Sequence, residues 1–152
     1  MTGRRPAVVT MLGAIAIAIV IVGALAYLYN PPWLADYTTG LLPWDQESDG
    51  VRYRWTRARA SLYVSASAER IDVPLAAWFR TGDRSPFVVD VRVDGVAAGR
   101  AVLADEHWVH LTVRLPRTKT WRQLRRLDIA VNRTWEDAGY GVKLGEVSAW
   151  PR

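Results

Sequence analysis

The stretch FVVDVRVDGV, residues 87–96, carries the clearest fold signal in the sequence. Its apolar residues at every second position alternate with residues that include Asp90 and Arg92, and this period of two predicts a strand with one buried face. Asp94-Gly95 follows, and this dipeptide favours the two-residue turn of a β-hairpin. We therefore predict a strand that ends at residue 93 and a returning strand near 97–103.

The same alternation recurs on both sides of this hairpin. Apolar rows with polar neighbours occupy five further segments: 60–66, 71–79, 109–115, 127–131 and 142–150. No part of the sequence after residue 30 has the pattern of a long amphipathic helix or the strand and helix alternation of a parallel sheet. About seven or eight short strands at this spacing predict an all-β fold, specifically an antiparallel jelly-roll-type β-sandwich.

The N-terminal part of the chain has a different composition. Residues 7–29 contain no charge, and at about 1.5 Å per residue a helix of that length spans roughly 34 Å, enough for a hydrocarbon core of about 30 Å. Arg4 and Arg5 precede this run, whereas the next basic residue is Arg52, and cationic flanks stay in the cytoplasm. We therefore predict one transmembrane α-helix, with the N-terminus cytoplasmic and the C-terminal domain extracytoplasmic.

The predicted organisation has four segments: a cytoplasmic N-terminus at 1–6, the transmembrane helix at 7–29, an extended connector at 30–50, and an extracytoplasmic β-sandwich domain at 51–152. A cleaved signal peptide is the alternative for the first two segments, since Ala24-Leu25-Ala26 has the small-x-small pattern of a cleavage site. The apolar run exceeds the usual signal-peptide core of about 7 to 15 residues, which favours an uncleaved anchor in the cell membrane.

Composition excludes several classes of protein. The chain has no cysteine, so a disulfide framework and a thiolate metal site are both excluded. After Arg5 the chain carries 18 basic and 15 acidic side chains, and this mild excess of positive charge, on a domain placed outside the cytoplasm, leads us to expect no nucleic-acid partner.

Both histidines lie in one short segment with two carboxylates, Asp105-Glu106-His107-Trp108-Val109-His110. Two histidines three residues apart on a strand point to opposite faces, whereas metal ligands converge on one ion. We therefore predict no metal site, and we expect no cofactor.

Carboxylate pairs are the remaining route to catalysis. Asp45 with Glu47, or Glu136 with Asp137, stays open as a pair for glycoside hydrolysis, although acids near strand ends are usually solvated. The sequence has no Gly-x-Ser-x-Gly elbow and no glycine-rich phosphate loop. We assign no catalytic residue.

Eight tryptophans are many for a chain of 152 residues. Trp55 shares its strand parity with Tyr53, which favours a core position. Trp78, Trp108 and Trp150 fall on the parity of polar neighbours, which favours exposure. Exposed rings beside polar groups suit sugar binding, because sugar C–H faces stack on rings while hydroxyls take the polar partners. The alternative is that these rings plug the ends of the sandwich.

The candidate binding residues are Trp78 and Trp108 as stacking platforms and Arg114 as a partner for hydroxyl or phosphate, because parity places Trp108 and Arg114 on one face. Arg114 also opens a basic stretch that runs to Arg126 without an acid. Such a stretch faces anionic headgroups or phosphorylated glycans, or it is a solvated loop.

Several short motifs together resemble the small, carbohydrate-binding-like β-sandwich domain appended to some bacterial polytopic membrane glycosyltransferases. The motifs are Trp44, Glu47, Arg54-Trp55-Thr56, Ala60, Leu62, Val93-Asp94-Gly95, Trp108, Leu115-Pro116, Arg133-Thr134-Trp135, Leu144-Gly145 and Val147, within residues 40 to 150. In that family an arginine stands two residues before the Leu-Gly pair, where this chain has Val142 followed by Lys143.

The resemblance implies a β-sandwich associated with glycans, without the transferase's multi-helix domain or its catalysis. We expect a membrane-anchored, non-catalytic module of the bacterial cell envelope that binds glycan or assists a glycan-handling membrane enzyme, with the lipid bilayer as its first partner. The alternatives are a structural or assembly subunit that binds another membrane protein, and a hydrolase with acids that the sequence does not mark.

The predicted topology is tested by a reporter that is active only in the cytoplasm, fused after residue 152 of the full chain. The reporter should give no signal, because Arg4 and Arg5 hold the N-terminus in the cytoplasm. Strong signal would contradict the orientation. A mature N-terminus at Tyr27 would contradict the uncleaved anchor.

Overall fold

The computed structural model describes residues 5–117, 121–135 and 139–151. It divides into two compact units, Met1–Leu34 and Ala35–Arg152. The first unit contains the helix α1, Arg5–Tyr29, and a short 3₁₀ helix at Pro32–Ala35 follows it.

The helix α1 matches the predicted apolar run, and its side chains from Met11 to Tyr29 are all exposed within the structure. A helix that is apolar on every side needs an apolar surrounding. The helix is long and apolar enough to cross a membrane, a property that membrane anchors and signal sequences share. Pro31 and Pro32 follow its last turn, where proline cannot continue a helix.

The described residues of the second unit form nine strands, all paired antiparallel. The strands are β1 Thr39–Gln46, β2 Arg52–Ser65, β3 Ala68–Ala76, β4 Phe87–Val93, β5 Val96–Leu103, β6 Val109–Arg114, β7 Leu124–Val131, β8 Lys143–Gly145 and β9 Ser148–Pro151. The all-β antiparallel sandwich preceded by one helix is therefore confirmed.

The strands follow the order β5-β4-β7-β2-β8-β3-β6, with β1 beside β2 and β9 beside β3. The long strand β2 joins the two layers, because residues 59–65 pair with β7 whereas residues 53–55 pair with β8. The structure differs from the prediction at 30–50, where a connector was expected: β1 lies within that range and pairs with β2.

The predicted hairpin is present. β4 and β5 pair directly, and the turn between them has Asp94 at φ 51° and Gly95 at φ 82°. Two consecutive positive φ angles are those of a type I′ turn, whose twist matches that of the flanking strands. A bulge between Val91 and Arg92 shifts the pairing near the turn.

The core consists of the apolar rows that the sequence alternation marks. Its largest fully buried side chains are Phe87, Ile71, Leu75, Leu103, Leu127, Ile129, Val73, Val89, Val91, Val93, Val113 and Val142. The two layers meet closely where Gly99 of β5 lies over β6: a Cβ on Gly99 would lie 3.2 Å from side-chain atoms of both Leu111 and Val113.

An ion pair between a buried arginine and an exposed aspartate connects the hairpin turn to β7. Arg125 is 4% exposed, its Nε donates to Oδ2 of Asp94 at 2.8 Å, and its Nη1 donates to the carbonyl of Pro116 at 2.8 Å. The backbone N–H of Arg126 donates to Oδ1 of the same aspartate. Arg125 therefore has a structural role, and the sequence pattern was misleading in placing it with the solvent-facing arginines.

The Asp94→Asn variant tests this ion pair, because asparagine keeps the left-handed turn conformation but removes the charge. We expect the free energy of unfolding to fall by about 2 kcal/mol, the usual range for a hydrogen bond to a charged group. Asp90→Asn is the matched control, since Asp90 pairs with Arg100 at an exposed site and should cost less than about 1 kcal/mol. Chemical denaturation of the full chain in detergent measures both, and equal losses would contradict the role of Asp94.

Candidate functional site

Five aromatic rings and two cationic side chains surround a solvent-open pocket of about 430 Å³ at one end of the β unit. We call it the aromatic pocket, and its lining residues are Tyr53, Trp55, Trp78, Arg80, Trp135, Tyr140 and Lys143. Two of these come from the start of β2, two from the segment after β3, one from the segment after β7, and two from β8 and the segment before it.

The rings of the aromatic pocket contact each other in fixed orientations. Trp55 and Tyr140 stack with ring centroids 5.4 Å apart and an interplanar angle of 15°. Trp78 meets Trp135 edge to face at 5.1 Å. Such pairs hold the rings as a rigid apolar surface and leave their outer faces for a ligand.

The two cations lie against the rings. The guanidinium carbon of Arg80 is 5.0 Å from the ring centroid of Trp135. Nζ of Lys143 is 4.8 Å from the ring centroid of Tyr53 and donates to Oε1 of Glu47 at 2.5 Å. These cation–π contacts orient polar groups at the rim of an apolar surface.

The hydroxyl of Tyr53 donates to Oδ2 of Asp45 at 3.0 Å. Burial raises the pKa of Tyr53 above its ordinary value, and the hydrogen bond to Asp45 raises this pKa further. Tyr53 is therefore a neutral donor near neutral pH, and its side chain is a fixed part of the wall.

The segment before β8 is closed by backbone hydrogen bonds. The N–H of Trp135 donates to the carbonyl of Tyr140 at 2.7 Å, and the N–H of Gly139 donates to the carbonyl of Trp135 at 2.6 Å. Nε1 of Trp135 is buried and has no hydrogen-bond partner in the described part of the chain. This closed segment places Trp135 and Tyr140 in the same wall.

Thr56 connects this segment to β2. Thr56 is fully buried, its Oγ1 accepts from the N–H of Val142 at 3.0 Å, and its own N–H donates to the Val142 carbonyl at 2.9 Å. The N–H of Gly141 donates to the Thr56 carbonyl at 2.7 Å. A Cβ on Gly141 would lie 2.6 Å from Oγ1 of Thr56, so only glycine fits this approach. We call these contacts the Thr56 clamp.

Only one of the three predicted binding residues lines the aromatic pocket. Trp78 does so and is 43% exposed. Trp108 is half-buried, and its Nε1 lies 3.4 Å from Oε2 of Glu47, the carboxylate that also binds Lys143. Arg114 is at the far end of β6, where it pairs with Arg70 of β3. The structure therefore places Trp78 and Trp108 towards one end and Arg114 towards the other.

The sequence missed Trp55 as a pocket residue, because a core position was expected for it. The inward parity of β2 changes along the strand: Tyr53 is buried, but so are Thr56 and Ala60. The change occurs where β2 exchanges β8 for β7 as its partner. Because of this change in parity, Trp55 is half-exposed. The two-residue alternation of the sequence does not reveal where such a change occurs.

The remaining members of the aromatic pocket carried no periodic signal, since most lie outside the strands. The resemblance included Trp135, and it pointed to Val142 and Lys143 as the position where this chain departs from the family's arginine. Val142 is fully buried in the core, whereas Lys143 lines the aromatic pocket.

The histidines have separate carboxylate partners. Nδ1 of His107 lies 3.1 Å from Asp105, and Nδ1 of His110 lies 2.5 Å from Asp72. Within residues 5–117, 121–135 and 139–151, no three histidine or acidic side chains come together as a metal site would require.

The carboxylates left open by the sequence divide into two cases. Asp45 accepts from the Tyr53 hydroxyl and Glu47 accepts from Lys143, so both are occupied by hydrogen-bond donors. Glu136 and Asp137 lie outside the described residues.

No protein-family model matches the chain, and no curated protein matches it. Solved structures with a similar fold include the family 35 carbohydrate binding module from Clostridium thermocellum, with a TM-score of 0.50 and 7% identity over 78% of this chain and 95% of that chain. A family 35 module from an environmental isolate has a TM-score of 0.49 and 11% identity over 74% and 88% of the two chains.

A further similar structure contains CBM51-2 and INT domains from Clostridium perfringens ZmpB, in complex with GlcNAc. Its TM-score is 0.44 and its identity 13%, and the alignment covers 70% of this chain but 24% of that chain. The similarity to the family 35 module from Clostridium thermocellum, at a TM-score of 0.50, shows that the β unit shares the β-sandwich fold of that carbohydrate binding module. The carbohydrate-binding-like part of the resemblance is supported as a fold, and the link to glycosyltransferases stays a prediction.

The Thr56→Val variant tests the Thr56 clamp. Valine keeps the shape but leaves the N–H of Val142 without an acceptor, which should lower the free energy of unfolding by about 1–3 kcal/mol. Thr56→Ser keeps the hydroxyl and is the control. Near-ultraviolet circular dichroism of the full chain in detergent should change in Thr56→Val, because Tyr140 is no longer held against Trp55. Unchanged spectra and stability in the valine variant would contradict the clamp.

Proposed function

We propose that this chain is a non-catalytic glycan-binding module held at the membrane of the cell envelope by α1. The aromatic pocket is the observation that carries the proposal. It combines open ring faces with cationic and hydroxyl groups at fixed positions, and its volume of about 430 Å³ lies within the usual range of ligand sites, roughly 300–1,000 Å³.

The chemistry of the aromatic pocket suits a sugar better than a purely apolar ligand. The apolar C–H face of a sugar ring stacks on an aromatic face, and the pocket offers the stacked pair of Trp55 and Tyr140 and the exposed ring of Trp78. Sugar hydroxyls need donors and acceptors at the edge, which Arg80 and the Lys143–Glu47 pair supply.

The polar groups of the aromatic pocket favour binding over catalysis. A glycosidase needs one carboxyl group that protonates the leaving oxygen and a second that attacks or activates water. Glu47 is held by Lys143 and Trp108, and Asp45 is held by Tyr53. Carboxylates held in this way support neighbouring side chains, so we propose no reaction at this site.

The proposed location rests on α1 and its flanks. Arg4 and Arg5 precede the apolar run of the helix, whereas Tyr27, Tyr29 and Trp33 lie at its other end, as in an interfacial aromatic belt. We propose a single-pass anchor with the N-terminus in the cytoplasm and the β unit outside. A binding module in this position would hold a glycan close to a glycan-handling membrane enzyme.

A glycan array probed with the full chain in lipid nanodiscs tests the proposal. The best-bound glycan should lose affinity by at least about tenfold in Trp78→Ala, because that change removes a stacking face worth more than about 1.4 kcal/mol. Trp150→Ala is the matched control, since Trp150 is equally exposed at 43% but lies outside the aromatic pocket. Trp108→Ala should have a smaller effect, since Trp108 acts through Glu47.

Two outcomes would contradict the proposal. Equal losses in the two variants, with both folded by circular dichroism, would show that the aromatic pocket is not the site. Absence of binding to every glycan, together with co-purification of a membrane protein from its native membrane, would favour the assembly subunit.

A further inference from the structure

Three exposed side chains form a row across the solvent face of β9, β3 and β6. Trp150 of β9 is opposite Arg70 of β3, and Arg70 is opposite Arg114 of β6. The guanidinium carbon of Arg70 is 5.9 Å from the ring centroid of Trp150. We call Trp150, Arg70 and Arg114 the arginine row.

The arginine row places two like charges directly opposite each other. Directly opposed side chains on antiparallel strands have Cβ atoms roughly 5 Å apart, and like charges in such pairs destabilise a sheet. Neither Arg70 nor Arg114 has an acidic partner in the described part of the chain. Asp72, two residues along β3 from Arg70, is 8% exposed and is already paired with His110. An anion between the two guanidinium groups would remove the repulsion and take bidentate hydrogen bonds.

The loop after β6 extends the same kind of surface. Arg117 is exposed, Trp121 is 90% exposed and Arg122 is exposed. Residues 118–120 of this loop lie outside the described residues. Gln123, at the end of the loop, accepts from the N–H of Ala66 in the turn before β3, so the loop lies at the end of the unit where Arg70 is found. Tryptophan with arginine is the combination that prefers a membrane interface.

The start of the β unit lies at this same end. Thr39, the first residue of β1, lies opposite Ser61 of β2, so the residues before it approach the end of β2 at Ser65. Ala35 and Asp36 line a groove that includes Ser65 and Ala149 and extends to Trp44 and Arg54. Five residues separate Tyr29, the last residue of α1, from Ala35. A tether this short keeps the β unit within reach of whichever membrane α1 occupies.

We infer that Arg70 and Arg114 of the arginine row, together with the exposed Arg117, bind the phosphates of anionic lipid headgroups. The inference rests on the proposed anchoring of α1, and it adds a second membrane contact made by the β unit itself. The inference rests on charge complementarity between headgroup phosphates and two opposed arginines that have no acidic partner among the described residues. Trp150 and Trp121 supply aromatic rings for the membrane interface.

The absence of native cysteine allows a single probe to report on this surface. Thr112→Cys, on the exposed face of β6 two residues before Arg114, is labelled with an environment-sensitive fluorophore in the full chain in nanodiscs. The discs contain phosphatidylcholine alone or with phosphatidylglycerol, together with a headgroup spin-labelled quencher lipid. We expect stronger quenching in the anionic discs.

Neutralising the row should reverse that quenching. Each arginine near an anionic surface is worth about 1 kcal/mol, so the ratio of docked to undocked chain should fall about fivefold for Arg70→Gln and again for Arg114→Gln. The matched control is Arg84→Gln with Arg92→Gln, which removes the same charge from other exposed positions and should leave quenching unchanged. A probe at the exposed Val102 of β5 should not respond to lipid charge.

Each of the following outcomes would overturn the inference. If quenching is the same with and without phosphatidylglycerol, or if it falls as much in the Arg84→Gln, Arg92→Gln control as in the Arg70 and Arg114 variants, the arginine row does not bind the anionic lipid surface. A fluorescence response to added polygalacturonic acid, without any response to lipid charge, would reassign the row to acidic glycans. If the chain does not stay in the discs, both the lipid contact of the β unit and the proposed membrane anchor α1 are contradicted. Glycan binding at the aromatic pocket is measured separately and should survive the Arg70 and Arg114 changes.

Discussion

The Thr56 clamp is the constraint on which the candidate site depends. At Thr56 the long strand β2 stops pairing with β8 and approaches β7, and the three hydrogen bonds to Gly141 and Val142 satisfy backbone groups that the change of partner would otherwise leave unpaired. Because a buried N–H or carbonyl without a partner costs free energy, this junction is strongly specified. Tyr140 and Lys143, on either side of the clamp, are thereby held beside Trp55.

The β unit carries different chemistry at its two ends. The aromatic pocket receives Trp78 just after β3, whereas the arginine row includes Arg70 near the start of the same strand. From Arg70 to Ala76, the last residue of β3, the strand advances six residues, or about 20 Å at roughly 3.3 Å per residue. Aromatic faces with a few polar partners suit a sugar, and opposed arginines with exposed tryptophan suit anionic headgroups. A module with these two ends would bind lipid and present a glycan site away from it.

The sequence predicted the fold well because the β unit follows the two-residue period over most of its strands. The alternation from Phe87 and the Asp94-Gly95 pair predicted a strand and a turn that the structure contains, and the apolar run predicted the helix α1. The candidate site was harder, because Trp135, Tyr140 and Arg80 lie between strands and Trp55 lies where β2 changes parity. Trp78 was named as a candidate only because its strand parity predicted an exposed ring. Strand parity placed Arg114 on one face with Trp108, but parity says nothing about the distance from Arg114 to Trp78.

The most direct test of the glycan site is a two-dimensional proton–nitrogen spectrum of the indole groups of the full chain, titrated with the glycan that binds best. Eight tryptophans give eight assignable indole signals, spread over both ends of the β unit and the helix flank. We expect concentration-dependent shifts for Trp55, Trp78 and Trp135, with Trp121 and Trp150 unchanged. Shifts confined to Trp121 or Trp150, with the three pocket indoles unmoved, would contradict it.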